Sequence, residues 1–549
     1  MSETRSRSAG GKRSRSGCIT CKIRRVKCDE TRPACTRCVT SGRTCDGYAS
    51  STTAPQSRRA LADAVRLLHV AGPASRVLGD PVAADDAACF DFFRHCTSSM
   101  TGSVLPAPFW ERLVLQMAYG EKAVWRVVVA LGALHRRWEY SNSRTAAAAA
   151  ARKREGPGAI SRFTKQAASH YYGAISLAKE IRDPETLAVL SAALAAAAHL
   201  AGLWAETQVH IAAGLRLIHD PGLPGAVPPG LAETLDRLDL QAMFFEDARV
   251  PYVHKSGAEH AHLADSPCSA TPWSRGSGAD IASLDDAALV IFRLVRFFML
   301  TTGAAEQGLL DLVGLQAIMG RLEADAARWE VALDDFLAGR RVREDEERMV
   351  LLMRLYHATL NQVLTAGIIG PETRWDVCLP LFVRSVELAG EVARATPSAM
   401  PFFMSLEPGV ATPLFLTAVR CRHPVVRRRA LGLLGRMNRQ EGIWNCGATG
   451  RVAEQVILVE EEGLGVGLPL WMDEEELRGL MGGVDEARAV DEEGWAPVWP
   501  GGWPNVPEEK RLLQTSLLVD VDASVIDLTI FVTGEDGQGT AARTVSIDI

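Results

Sequence analysis

Six of the twelve cysteines of this 549-residue chain fall between Cys18 and Cys45, in the order Cys-x2-Cys-x6-Cys-x6-Cys-x2-Cys-x6-Cys. The window is one unit, Cys-x2-Cys-x6-Cys, used twice with an offset of 17 residues. So short a stretch cannot build an apolar core, so it must fold around cross-links or a metal. The opening residues, MSETRSRSAG, lack the apolar run of a secretory signal, which predicts a reducing compartment. There, clustered cysteines read as metal ligands before disulfides.

Zinc takes four tetrahedral ligands and accepts thiolates readily. Six thiolates overfill one such site, whereas two closed sites need eight ligand positions. Two bridging thiolates reconcile the counts, so the expected cofactor is a pair of Zn2+ ions held by Cys18, Cys21, Cys28, Cys35, Cys38 and Cys45.

The two halves carry different cargo. Between Cys21 and Cys28 stand Lys22, Arg24, Arg25 and Lys27, whereas between Cys38 and Cys45 only Arg43 is basic. If each half is a short helix and a loop, only the first presents a cationic helix. Arginine and lysine on such a helix donate to guanine O6 and N7 in a major groove, and neighbouring cations grip phosphates. The charge balance agrees. Residues 1–60 hold 14 Lys/Arg against 4 Asp/Glu, while the whole chain has a net charge of −6. A basic head on an acidic body predicts that the head meets double-stranded DNA.

The stretch CITCKIRRVKCDETRPACTRCVTSGRTC resembles the fungal binuclear zinc cluster family of transcription regulators. The likeness covers every cysteine and spacing, the basic run before the third cysteine, and Pro33 two residues before the fourth. It implies that Cys18 and Cys35 bridge the two zinc ions, that Cys21 and Cys28 complete one site, and that Cys38 and Cys45 complete the other. It also implies that a helix starting near Cys21 reads a CGG-like triplet, with Arg25 and Arg24 nearest the bases. The function expected is a nuclear, zinc-dependent, sequence-specific regulator of RNA polymerase II genes. The alternative is a zinc-storage or redox-sensing protein that uses the same cysteines.

Residues 1–16 read as a disordered basic tail, 17–46 as the zinc cluster domain, and 47–84 as a linker with one short helix carrying Leu61, Val65 and Leu68. That helix is too short for a coiled coil, so a homodimer has no evident zipper here. From 85 to 510 the pattern is helical, with candidate helices at 109–118, 121–138, 161–181, 185–203, 206–219, 229–249, 284–303, 308–337, 342–367, 376–395, 410–418, 424–439 and 449–461. Cys89, Phe92, Phe93 and Cys96 fall on one expected helix face. The fold class expected is therefore mostly α, a small zinc cluster followed by a large all-α regulatory domain built as a bundle or solenoid-like array. The segments FWERLVLQMAYGEKAVWRVVVALGALH, HYYGAISLAKEI, HIAAGLRLI, LDRLDLQAMFFED and EGIWN resemble the second of the fungal-specific transcription factor domain families. That likeness implies a regulatory and interaction domain.

Leu187 to Ala205 runs 19 residues without a charge, but nine are alanine and His199 and Ser191 interrupt it, so a buried helix is expected rather than a membrane span. No GxSxG, HExxH or P-loop pattern occurs, and Leu468 breaks the glycine pattern of Gly463, Gly465 and Gly467, which follow a β-like run. His260 and His262 lack a third ligand at useful spacing. An enzyme is not expected. Residues 471–510 hold 11 Asp/Glu against 3 Lys/Arg around Trp471, Trp495, Trp499 and Trp503. This composition suits coactivator docking, but packing of the tryptophans on the body is favoured. In 511–549, Val525–Thr529 resembles a SUMO-interacting motif, whereas the alternation of Ile526, Leu528, Ile530 and Val532 favours a strand in a short C-terminal β-hairpin with 544–549.

Overall fold

The computed structural model describes residues 21, 26, 28–31, 35–41 and 45, then 76–77, 80–102, 105, 107–142, 158–219, 228, 230–245, 281–395, 403–481, 498–499, 502–520, 525–533 and 540–548. Cys18, the basic quartet Lys22, Arg24, Arg25 and Lys27, the tail, the linker helix, His260, His262, Cys268 and Trp495 lie outside the described residues. The chain divides into two compact units, residues 1–72 and 73–549.

The first unit contains the short helix α1, Thr36–Thr40. The second opens with α2, Ala84–Phe92, which runs into a π-helical turn over Phe93–Thr97. That wider turn changes the face expected for this segment. Cys89, Phe90 and Phe93 are fully buried, while Phe92 and Cys96 are only partly so. A second π turn, Phe109–Leu113, leads into α3, Val114–Gly120, and then α4, Lys122–Asn142. Backbone meets backbone where α2 crosses α4. A Cβ on Gly132 would fall 2.1 Å from the Cys89 carbonyl oxygen, so only glycine admits this approach.

Next come α5, Ala159–Ala178, α6, Pro184–Ala201, α7, Trp204–His219, and α8, Leu231–Phe245. The start and stop of α6 are written locally. Asp183 accepts the Thr186 N–H at 2.9 Å, Pro184 presets the first turn, and Gly202 closes the helix at φ 73°. Its alanines are buried within the body, so the long uncharged run is a core helix.

The second half comprises α9, Leu284–Glu306, α10, Leu312–Leu337, α11, Glu344–Ala366, and α12, Leu379–Ala395. Then follow α13, Ala411–Arg420, α14, Pro424–Arg436, α15, Cys446–Glu461, and α16, Glu474–Leu480. Helices adjacent in sequence pair closely, α4 with α5, α6 with α7, α11 with α12 and α13 with α14. Two apolar clusters result. One is built mainly from α2 to α8 and the other from α8 to the C-terminus. Helix α8 walls both, giving Leu231, Leu235 and Leu238 to the first and Leu240 and Met243 to the second. Glu407 joins the halves, accepting the Trp110 indole N–H at 3.0 Å and pairing with Arg237.

Strands appear where the sequence signalled helix or nothing. β1, Phe403–Ser405, runs parallel to β2, Arg439–Glu441, which pairs antiparallel with β3, Trp444–Asn445. Helix α14 therefore ends at Arg436, short of the expected 439, because Met437 turns extended. The C-terminal hairpin is present as β5, Val525–Thr533, and β6, Thr540–Asp548. A third strand, β4, Leu512–Asp520, pairs on the other side of β5. The motif-like residues Val525–Thr529 thus occupy the central strand, with both backbone edges paired, and Ile526, Leu528 and Ile530 turn into the core. Strand addition has no free edge there. Of the four tryptophans read as packing on the body, Trp499 is buried and Trp503 packs against the same core, Trp471 is 45% exposed, and Trp495 lies outside the described residues.

The least expected feature is a buried ionic network around α14 and α15. Glu460 accepts Arg427 at 2.5 Å, Arg422 at 3.0 Å and the Leu512 N–H at 2.7 Å. Arg420 bonds both Glu372 and the Leu512 carbonyl at 2.7 Å, and Arg511 forks onto Asp376 at 2.7 and 2.8 Å. Gly463, Gly465 and Gly467, all at positive φ, follow helix α15 rather than a strand. They lead to the Leu468 and Pro469 carbonyls that accept from Arg428. Burial alone would raise the Glu460 pKa, but Arg422, Arg427 and the Leu512 N–H hold it at about 2.

Candidate metal centre and nucleic-acid interface

Helix α1 begins at Cys35, whose extended backbone places its sulfur over the first turn, where it accepts the Cys38 N–H at 3.3 Å. A helix N-terminus carries partial positive charge, which favours the thiolate over the thiol. The two-residue spacing then brings Cys38 one turn along onto the same side. Two further backbone N–H groups point at sulfur, Cys35 to Cys45 at 3.3 Å and Glu30 to Cys28 at 3.4 Å. Glu30 reaches its position at φ 61°, an uncommon conformation for a residue with a Cβ. Asp29 braces the loop onto α1, accepting the Arg37 N–H at 3.1 Å, while Thr31 and Thr36 hydroxyls meet at 3.0 Å.

Cys21, Cys28, Cys35 and Cys38 are buried, and no apolar side chain except partly buried Val26 packs with them among the described residues. The Cys21 sulfur lies 3.6 Å from that of Cys35 and 3.8 Å from that of Cys38. A disulfide would require about 2.05 Å. A tetrahedral ion with Zn–S near 2.3 Å sets its ligands roughly 3.8 Å apart. The sulfurs therefore stand at ligand spacing around a common centre. Cys35 belongs to two such groups, one with Cys21 and Cys38 and one with Cys28 and Asp29. The Asp29 carboxylate in the second group already accepts backbone N–H donors, which makes it a brace rather than a ligand. Donor type, spacing and burial fit zinc. Bound there, zinc would supply the folding free energy that the segment cannot draw from an apolar core.

The body cysteines are of another kind. Cys96, Cys378 and Cys421 are pushed up to about 12 by burial, and Cys446 is raised as well, so all four remain thiols at neutral pH. A redox switch requires a thiolate that reagents can reach, and these do not provide one. A small cavity of about 10 Å³ is lined by residues including Ser405, Glu407, Val410 and Arg439, room for a single water rather than a metabolite.

Residues 16–55 match the family described as the fungal Zn(2)-Cys(6) binuclear cluster domain. Over 83% of its length the chain is 25% identical to the aspercryptin biosynthesis cluster-specific transcription regulator of Emericella nidulans, covering 88% of that protein. It is 32% identical to a transcription regulator of Purpureocillium lilacinum, over 24% of this chain and 32% of the relative. A transcriptional regulatory protein of Schizosaccharomyces pombe, moc3, is 38% identical over 11% of this chain and 12% of its own. No solved structure matches the chain.

Proposed function

We infer that this chain, which carries a fungal Zn(2)-Cys(6) binuclear cluster domain, is a zinc-dependent, sequence-specific DNA-binding transcription regulator. The observation that carries the reading is the set of cysteine sulfurs at ligand spacing, with Cys35 common to two groups, beside the basic run Lys22, Arg24, Arg25 and Lys27. In this reading Cys18 and Cys35 bridge two zinc ions. Cys21 and Cys28 complete one coordination sphere, and Cys38 and Cys45 the other. Zinc fixes the segment, Lys22 and Lys27 hold phosphates, and Arg24 and Arg25 donate to guanines of a CGG-like triplet. The chain acts in the nucleus. The helical body, of the second fungal-specific transcription factor type, regulates it and recruits partners, and no reaction is assigned to it.

In vitro selection from random duplexes with the zinc-loaded full chain tests the reading, and a G-rich triplet is expected to be enriched. The double variant Arg24→Ala/Arg25→Ala removes base donors and keeps every thiolate. At about 1–3 kcal/mol for each good base contact, losing two should lower its affinity for the selected site by roughly 30-fold at least and up to about 10,000-fold. Its zinc content should not change. Unaltered DNA affinity in that variant would overturn the assignment and favour zinc handling.

A further inference from the structure

Helix α10 turns Leu315, Ile318, Leu322, Trp329 and Leu333 into the body. Its opposite face is unusual for a helix in water. Val313, Ala317, Gly320, Ala324, Ala327 and Val331 are all exposed, Val313 by 74% and Val331 by 61%. Their spacing is 4, 3, 4, 3, 4, a seam of period 3.5. At its N-terminal end Leu309 and Leu312 are exposed by 49% and 66%, extending the apolar surface. The middle of the seam is Ala and Gly, and a Cβ on Gly320 would meet nothing within 4 Å. Short side chains there allow a second helix to approach closely, and the valines close the two ends.

The flanking charges select the partner. With Val313, Gly320 and Ala327 as d positions and Ala317, Ala324 and Val331 as a positions, Glu323 takes g and Arg328 takes e. In a parallel pair, each g residue faces the e residue five positions on in the other helix. Glu323 of one copy then meets Arg328 of the other, and the two-fold axis repeats the contact. Arg328 is itself 47% exposed while one guanidinium nitrogen sits 3.4 Å from the buried Asp325 of its own helix, which leaves its other donors for the partner. An antiparallel pair would instead set g against g and e against e, opposing like charges. Beyond Val331 the rule fails, with Asp334 on the seam and Glu330 opposite Asp335, so the contact ends there.

We propose that the exposed Val313–Val331 face of α10 is a parallel, two-fold interface between two copies of this chain. The seam is shorter than a free-standing coiled coil uses. Helix α10 is already held by its inner face, however, so pairing need not supply its folding. The interface lies in the helical body, remote in sequence from the cysteine segment, so its failure would leave the DNA-binding reading standing.

Sedimentation velocity of the full zinc-loaded chain without DNA, at tens of micromolar, is expected to show a dimer. Ala324→Arg sets two guanidinium groups on the axis and should give a monomer with unchanged helical circular dichroism. Arg328→Glu should weaken the dimer several-fold, and adding Glu323→Arg should restore it. Orientation is read separately by oxidative cross-linking of Ala317→Cys and Ala327→Cys. Each should link to its own copy, and a link formed only between 317 and 327 overturns the parallel arrangement. A wild-type monomer, or a dimer untouched by Ala324→Arg, overturns the interface.

Discussion

In the first unit, Cys21, Cys35 and Cys38 are buried against one another, with sulfurs 3.6 and 3.8 Å apart. In the helical body, Cys378, Cys421 and Cys446 are buried among the residues of the main apolar cluster. The same side chain serves opposite purposes. In the cluster, backbone N–H donors and a helix N-terminus prepare sulfur for negative charge and a cation. In the body, loss of water pushes the thiol up and leaves it an apolar filler. Burial alone therefore says nothing about a cysteine's role; other sulfurs at ligand spacing do.

That contrast is broken most forcefully by removing metal. Chelation should abolish specific DNA binding, since structural zinc contributes about 10–16 kcal/mol in small zinc-folded domains. The thermal unfolding of the body should not move, because its stability rests on two apolar clusters. Calorimetry of the full chain with and without chelator checks both halves of the statement. A body transition that falls along with zinc would erase the distinction drawn here.

Next in size is a charge effect inside the body. Glu460→Ala leaves Arg422 and Arg427, each fully buried, without their principal counter-charge. Breaking a buried pair on one side costs about 3–5 kcal/mol, so the body should unfold at clearly lower denaturant, while zinc content stays the same. The wild-type network also has an acid limit. Folded Glu460 titrates at about 2, below the ordinary carboxylate. Its contribution is therefore complete above roughly pH 4.5 and lost as pH falls through about 2.

The smallest effect concerns His199 in α6, fully buried and held near a pKa of about 3 by desolvation. An unfolded histidine titrates near 6.5. Below that pH the unfolded chain takes up a proton that the fold excludes, so stability declines as pH drops from 6.5 toward 3. His199→Leu should remove part of this slope. Denaturation midpoints at pH 7.5 and pH 5 give the comparison, and an unchanged slope would assign it to His135 and His210, which burial lowers likewise.

The cluster was legible because ligand spacing is a local property of the chain. Six cysteines at fixed intervals state their chemistry without tertiary contacts. The helices were legible for a similar reason, since Asp183, Pro184 and Gly202 bound α6 within its own sequence. What escaped depends on distant partners. Arg427, Arg428 and Arg429 lie in the helix expected at 424–439, and nothing in that stretch signals that all three are buried, because the carboxylates that meet Arg427 and Arg428 lie 33 residues away or more. Strand β4 escaped because its pattern is irregular, with a register shift between Leu512 and Gln514. The seam on α10 escaped because alanine and glycine carry no hydropathy signal, and only exposure makes their period visible.

The ionic knot also sets an order in time. Arg511 completes its bidentate contact with Asp376 across 135 residues, and the Leu512 N–H is one of the donors to Glu460. At ~5–20 residues per second a ribosome needs roughly 7–27 s to make that intervening stretch. During that interval Asp376 must stay hydrated, and Arg420 and Glu460 still lack their contacts to the Leu512 backbone, so the ionic knot cannot close. The cysteine segment, synthesised within the first 55 residues, is complete long before. A nascent chain thus presents its cysteine segment to the cell while its helical body still waits for Arg511 and strand β4.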